Sequence, residues 1–271
     1  MNFRNGGMFI LLFLSTLTGS IQARDPAPFP EIFKKGYVEV KGKSEGKQSR
    51  FQAWRAAEVM AQRELLRVLQ KIRIYGSKEI GGGSPAADVE GFLKGSVTCG
   101  SVYDEERGQA EVCLRLNLYG PQGLYDYILP WLKQNRIVPE YHLVYAAEPT
   151  PAIALPDSIP DGVIFDVRAL PFQPALLNRI LTSQDTLVFD PLRIDSEFLI
   201  AYGCGAYSAD LPAARNLLLQ RGSRNPLVLF VQELDRQTDV KVSPEQAGFL
   251  MASEKAFQVL SQAKIVFWVQ E

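Results

Sequence analysis

The chain has 271 residues, with 29 basic and 30 acidic side chains, a single His and a formal net charge of −1. That balance gives no electrostatic footprint for nucleic acid, which is excluded as an expected partner. Three Cys and one His, without paired spacing, are too few for a zinc site, so neither a metal nor a cofactor is expected.

The first residues read as an export signal. Arg4 supplies a positive start, Met8 to Leu14 is an unbroken apolar run, and Ile21-Gln22-Ala23 ends on a small residue. This is the layout of a secretory signal peptide over residues 1–23, cleaved after Ala23. The apolar run falls short of the roughly 20 residues that a membrane span requires, and no later segment approaches that length. The mature chain is therefore expected to carry no transmembrane span and to reside in the periplasm, with a peripheral position on the outer membrane as the alternative. No Cys stands at the cleavage point to accept a lipid, since the first is Cys99.

Two α+β domains are expected, over residues 24–140 and 162–271, with a linker over 141–161. The linker is drawn from Pro149, Pro151, Pro156 and Pro160, interspersed with Asp157 and Asp161, because proline resists both helix and interior strand. In the first domain, Gly36 to Val40 alternates as a half-buried strand. Ser49 then caps a helix from about Arg50 to Arg73, where Trp54, Ala57, Ala61, Leu65, Val68, Leu69 and Ile72 form an apolar stripe. Val97–Tyr103 and Ala110–Leu118 alternate on either side of a polar turn and predict a hairpin. The first domain is thus a β-α-β-β antiparallel sheet with one helix packed across it. Leu124 to Val138 follows as a short helix broken near Pro130.

The second domain predicts a strand at Val163–Val167 and a hairpin around Thr182–Asp185. A helix from Asp210 to Gln220 precedes strands at Leu227–Gln232 and Asp239–Val242. Ser243-Pro244-Glu245 opens a helix to Ser261, through its cap, its proline at the first position and its early acid. A strand at Lys264–Val269 closes the chain.

A hairpin centred on Glu106 puts Cys99 opposite Cys113, where a cross-strand disulfide is within reach. The alternative is a pair of reduced thiols on a half-exposed face. Cys204, between two glycines, reads as buried and inert.

Several patterns suggest catalysis and are set aside. Gly42-x-Ser44-x-Gly46 matches a nucleophile elbow. Its base would have to be His142, partnered by Asp88, Asp104 or Asp126, and nothing in the spacing organises them. As a phosphate loop, Gly42-Lys43-Ser44 lacks the required glycine at position 37, which is Tyr37. The acids Asp157, Asp161, Asp166, Asp185, Asp190 and Asp195 lie mostly beside turn residues. No catalytic residue is expected, and the chain is not expected to be an enzyme.

Charge is unevenly distributed. Lys34 to Lys78 holds twelve basic and four acidic side chains. Much of the positive charge lies on the first helix, at Arg50, Arg55, Arg63, Arg67 and Lys71. That surface is either a solvated helix face or a docking face for an acidic surface: a protein partner, anionic lipid, or the chain's own second domain.

The run Val38-Glu39-Val40-x-Gly42, followed by Ala53-x-Arg55-Ala56-Ala57-Glu58-x-x-Ala61-x-Arg63-x-Leu65-Leu66, resembles the LPP-twenty lipoprotein family and the N-terminal domain of the flagellar protein FlgT. Val89 to Gly95 and Ala110-Glu111-Val112-x-Leu114-x-Leu116 are similar to later segments of those proteins, so the resemblance covers roughly 36 to 119. It implies a non-enzymatic structural or assembly component of the envelope, flagellum-associated, with protein partners or self-association. Asp166 to Leu176 and Asn225 to Val228 look like the C-terminal part of longer members of the same group. The alternative reading is a cell-wall polysaccharide or small-ligand binding module with Tyr125, Tyr127 and Trp131 stacking on sugar, or, further off, a periplasmic hydrolase.

Overall fold

The structure is a computed structural model, and it describes residues 29–81, 89–134, 160–251 and 254–270. The signal-peptide segment, nearly all of the expected linker, His142, Asp88 and Asp157 lie outside the described residues.

A short helix, α1 (Phe29–Lys35), leads into β1 (Tyr37–Lys43). In β1 Val38, Val40 and Gly42 point inward while Glu39, Lys41 and Lys43 point out, the period-two pattern of a half-buried strand. Ser49 starts α2 (Arg50–Gln70). Its hydroxyl and backbone nitrogen both donate to Gln52 Oε1, at 2.9 and 3.3 Å. The buried stripe of α2 is Ala53, Ala57, Ala61, Leu65, Val68 and Leu69. Trp54, expected in that stripe, is instead 43% exposed, and the neighbouring Ala53 takes the inward position.

After α2 come a small ribbon of β2 (Arg73–Tyr75) and β3 (Lys78–Glu79), the helix α3 (Val89–Lys94), and the hairpin of β4 (Val97–Asp104) and β5 (Gln109–Asn117). The order β1-β5-β4 is antiparallel throughout, with α2 over the face that carries Ala110, Val112, Leu114 and Leu116. The first unit is the expected β-α-β-β sheet with one helix across it. Helix α4 (Leu124–Gln134) continues through Pro130, where a break was expected.

The second unit is built on β6 (Gly162–Asp166). A hairpin of β7 (Ile180–Thr182) and β8 (Leu187–Phe189) precedes α5 (Ser196–Tyr202) and β9 (Ala206–Ser208). Then follow α6 (Leu211–Gln220), β10 (Pro226–Phe230), β11 (Glu233–Asp235) and β12 (Asp239–Val242). Helices α7 (Pro244–Met251) and α8 (Glu254–Ser261) occupy the span expected to be one helix, and β13 (Ile265–Trp268) closes the fold.

The order β10-β6-β13-β9 is parallel throughout. Its central strands are continuously apolar, Val163-Ile164-Phe165 and Ile265-Val266-Phe267, as expected of strands covered on both faces. Helix α6 covers one face through Ala214 and Leu218 against Ile164 and Val266. A second sheet, β11-β12-β7-β8, is not hydrogen-bonded to it but shares its apolar core. The chain is α+β.

The two units share one continuous apolar core. Leu176 and Leu177 donate backbone bonds to Arg73 and Ile74 at 2.9 and 2.8 Å, and Gly120 donates to Ile200 at 2.8 Å. Gly76 donates to Thr238 Oγ1 at 2.7 Å, and the Tyr125 hydroxyl donates to the Leu176 carbonyl at 2.5 Å.

Candidate functional site

Gly42 and Ser44, which suggested catalysis, take structural roles. Gly42 faces α2 so closely that a Cβ there would lie 2.1 Å from Ala61 N and 2.2 Å from Ala57 O. Ser44 is buried, accepts from Ala110 N at 2.9 Å and donates to the Glu45 carbonyl at 3.0 Å. A serine so placed fastens the end of β1 to β5 and presents no nucleophile to solvent.

Of the described acids, Asp195 starts α5 without a side-chain cap bond, and the others are engaged. Asp161 accepts from Ser223 Oγ, Arg224 N and Asn225 N at 2.7, 2.8 and 2.7 Å, and these bonds hold its carboxyl below the usual range despite partial burial. Asp190 and Asp210 cap helical turns through Leu192 N and Ala213 N. Asp185 pairs with Lys241 at 2.8 Å. Asp166 binds Arg168 through both carboxylate oxygens, at 2.9 and 2.8 Å, and the guanidinium lies 3.3 Å over the Trp268 ring. The side-chain bond from Arg168 lowers the Asp166 pKa.

Of the aromatic trio, the structure closes Tyr125 to a sugar. Tyr125 is 1% exposed and stacks on Tyr119 within the junction, while Tyr127 and Trp131 pack against the core. Cys204 is buried as expected, and burial pushes its thiol up to about 11.

Two surfaces of the first unit remain. One is the outer side of α2, which presents all five of the basic residues read as a docking face: Arg50, Arg55, Arg63, Arg67 and Lys71. Part of that charge is answered locally. Arg55 pairs with Glu58 at 3.1 Å, and Arg67 grips Glu64 at 2.6 and 2.9 Å, lowering the Glu64 pKa. Arg50 lies over the Trp54 ring at 5.9 Å.

Among these charges stand apolar side chains that the sequence reading did not single out: Phe51 at 74% exposure, with Val59 and Met60 also exposed. Phe51, Arg55 and Val59 follow an i, i+4, i+8 row, and Met60, Arg63 and Arg67 an i, i+3, i+7 row, so apolar and basic groups share rows of the helix surface. The signal was available: all three apolar residues fall outside the Ala53-Ala57-Ala61-Leu65 stripe.

The other surface is the open face of the β1-β5-β4 sheet. It carries Lys41–Glu111 and Glu39–Arg115 ion pairs at 2.8 and 2.6 Å, and the Cys99–Cys113 disulfide, whose Cα atoms are 5.2 Å apart. The expected bridge is present, but its register differs from a hairpin centred on Glu106. Gly100 pairs with Cys113 and Thr98 with Leu114, so Cys99 is the extra residue of a β-bulge. The turn itself is displaced by one residue, and the bulge compensates for it. Glu39, Cys99 and Cys113 form a group with metal-ligand spacing. The sulfurs are bonded to each other and Glu39 accepts twice from Arg115, so the group offers no free ligand set.

The family model described as Treponema pallidum Tp0624, second domain, matches residues 162–271, beginning at the first residue of β6. No curated protein matches the chain.

Proposed function

We propose that this protein is a non-enzymatic structural or assembly component of the bacterial envelope, periplasmic or peripheral to the outer membrane. In this reading its first unit is of the LPP-twenty and FlgT type, it is flagellum-associated, and it docks onto a protein partner through the outer side of α2. The observation that carries the reading is that α2 leaves Phe51, Trp54, Val59 and Met60 exposed between arginines. A large aromatic three-quarters exposed, with Met60 and several arginines on the same helix surface, has the composition of an interface core, in which aromatics, Met and Arg are enriched.

Two further observations support it. The Cys99–Cys113 bridge suits an oxidising compartment, and among the described residues no helix is long and apolar enough to cross a membrane. Ser44, Asp161 and Asp190 make structural hydrogen bonds, which favours this reading over a hydrolase.

The test is fractionation of the native host expressing the full chain or its Phe51→Glu/Met60→Glu variant. The wild-type protein is expected to sediment with the envelope or motor fraction. The variant is expected to be exported and folded, by its disulfide and circular dichroism, yet recovered in the soluble fraction. Wild-type protein found only in the soluble periplasm overturns the reading.

A further inference from the structure

Strand β4 is the edge of its sheet, and among the described residues no strand pairs with its second side. Edge strands are ordinarily guarded by charge or proline, yet Val97 to Tyr103 contains neither. Val97 and Val102 are 59% and 68% exposed. The one charge of β4, Asp104, stands at its last position, and the bulge at Cys99 lies within the strand.

From these features we infer that β4 pairs antiparallel with β4 of a second copy of this chain, about a two-fold axis between Cys99 and Gly100. The inference is independent of the α2 reading. It rests on matching of faces. Val97 and Val102 stand opposite Arg115 and Glu111, so both point to the open face, whereas Thr98 and Ser101 stand opposite Leu114 and Val112 and point toward α2. An unbulged strand would put residues five apart on opposite faces; the bulge puts Val97 and Val102 on the same one.

With the axis between Cys99 and Gly100, Val97 meets Val102 of the second copy and Thr98 meets Ser101 of the second copy, each pair on a single face. Shifting the register by one residue sets side chains of opposite faces against each other. Placed at the axis, the two bulges oppose each other, so the extra residue in one strand is matched by that in the other. The same operation carries exposed Lys94, just before β4, toward exposed Glu105, just after β4 in the second copy. Basic end therefore meets acidic end twice. Both three-stranded sheets become one six-stranded sheet with the two α2 helices on the same side. The interface is isologous, as closed dimers require.

The experiment is sedimentation equilibrium of the purified, oxidised mature chain at concentrations up to about 100 μM, as befits a small interface. The wild type is expected to show a concentration-dependent monomer–dimer equilibrium. Val97→Lys/Val102→Lys places lysines opposite each other twice and is expected to weaken the dimer by roughly tenfold or more. Val97→Lys/Val102→Glu places opposite charges across the same two contacts and is expected to dimerise at least as well as the wild type. Both residues changed are exposed, and unchanged thermal melting of the diluted variants establishes that they fold. A monomeric wild type overturns the inference, as does a lysine pair that leaves the dimer intact. Failure of the Lys/Glu variant to dimerise overturns the register.

Discussion

The backbone of α2 passes so close to β1 that Gly42 and Ala61 touch main chain to main chain. A Cβ on Gly42 would lie 2.1 Å from Ala61 N and 2.7 Å from its Cα. Neither atom can move without displacing the helix, so the Ala53, Ala57 and Ala61 stripe and Gly42 act as one packing device. Gly42→Ala is expected to destabilise the protein by about 3 kcal/mol, at the upper end for overpacked sites. A urea titration followed by far-ultraviolet circular dichroism measures it. Ser44→Ala, which leaves Ala110 N without its acceptor, is expected to cost about 1 kcal/mol.

The Cys99–Cys113 bridge closes a 14-residue separation within one hairpin. By the chain-entropy relation, removing it with Cys99→Ser/Cys113→Ser is expected to cost about 2–3 kcal/mol. Mass spectrometry of unreduced peptides should show the 99–113 link, and a melt with and without reductant should shift only in the wild type. Cys204 is expected to stay unmodified by alkylating reagents until the protein unfolds, because its thiol is buried and its pKa is raised.

These two features show what was legible in the sequence. The strand, helix and hairpin of the first unit follow from periods of two and of about 3.6, and both cysteines could be placed opposite each other from the turn. The bulge could not be, because a single extra residue changes no composition and leaves the apolar alternation of β5 intact. Trp54 was misplaced because size suggested core, whereas the buried row runs through the small Ala53, Ala57 and Ala61. In the second unit β6, β10 and β13 were readable as apolar runs, and β12 as a short alternation. The short β9 and α5 were not, since three to seven residues carry too little periodicity. Nor was strand direction, which is set by the crossover connections. The contact between the units was hidden for a different reason: part of it is made by backbone groups of Arg73, Ile74, Gly120 and Leu176, which leave no side-chain signature, and side chains that join it, such as Phe33 and Tyr207, read as ordinary core.

That contact predicts cooperativity. With one core and several backbone bonds spanning both units, calorimetry of the whole chain is expected to give a single unfolding transition rather than two. Tyr125→Phe removes the hydroxyl that the Leu176 carbonyl accepts from and leaves that buried acceptor unpaired. A loss of about 1–2 kcal/mol is expected, lowering the midpoint for probes in both units together. Two separate transitions, with only one responding to the substitution, would show that the units fold independently.

Near the same junction, Asp239 is fully buried. Its Oδ1 accepts from Arg179 N at 2.9 Å, while Oδ2 has no hydrogen-bond partner among the described residues. Burial pushes its carboxyl from the usual 3.8 up to about 6, against the lowering effect of the Arg179 backbone bond and charge. The sign follows from proton counting. Between these two values the unfolded chain has released the proton and the folded chain still holds it. Folding therefore takes up a proton there, and this group's contribution to stability falls as pH rises through the window. Below the window the contribution is fully present, and above the folded value the loss is complete, at about 3 kcal/mol at most. Carboxyls with lowered values, such as Glu64, Asp161 and Asp166, slope the other way, so the informative quantity is the difference between wild type and Asp239→Asn. The amide retains an oxygen for Arg179 N and cannot ionise. The variant is expected to gain stability relative to wild type as pH rises from about 4 to about 6, and the gap to stay constant above that. Parallel urea titrations across the range decide it; a difference that does not change with pH would mean that Asp239 ionises as freely in the folded protein as in the unfolded chain.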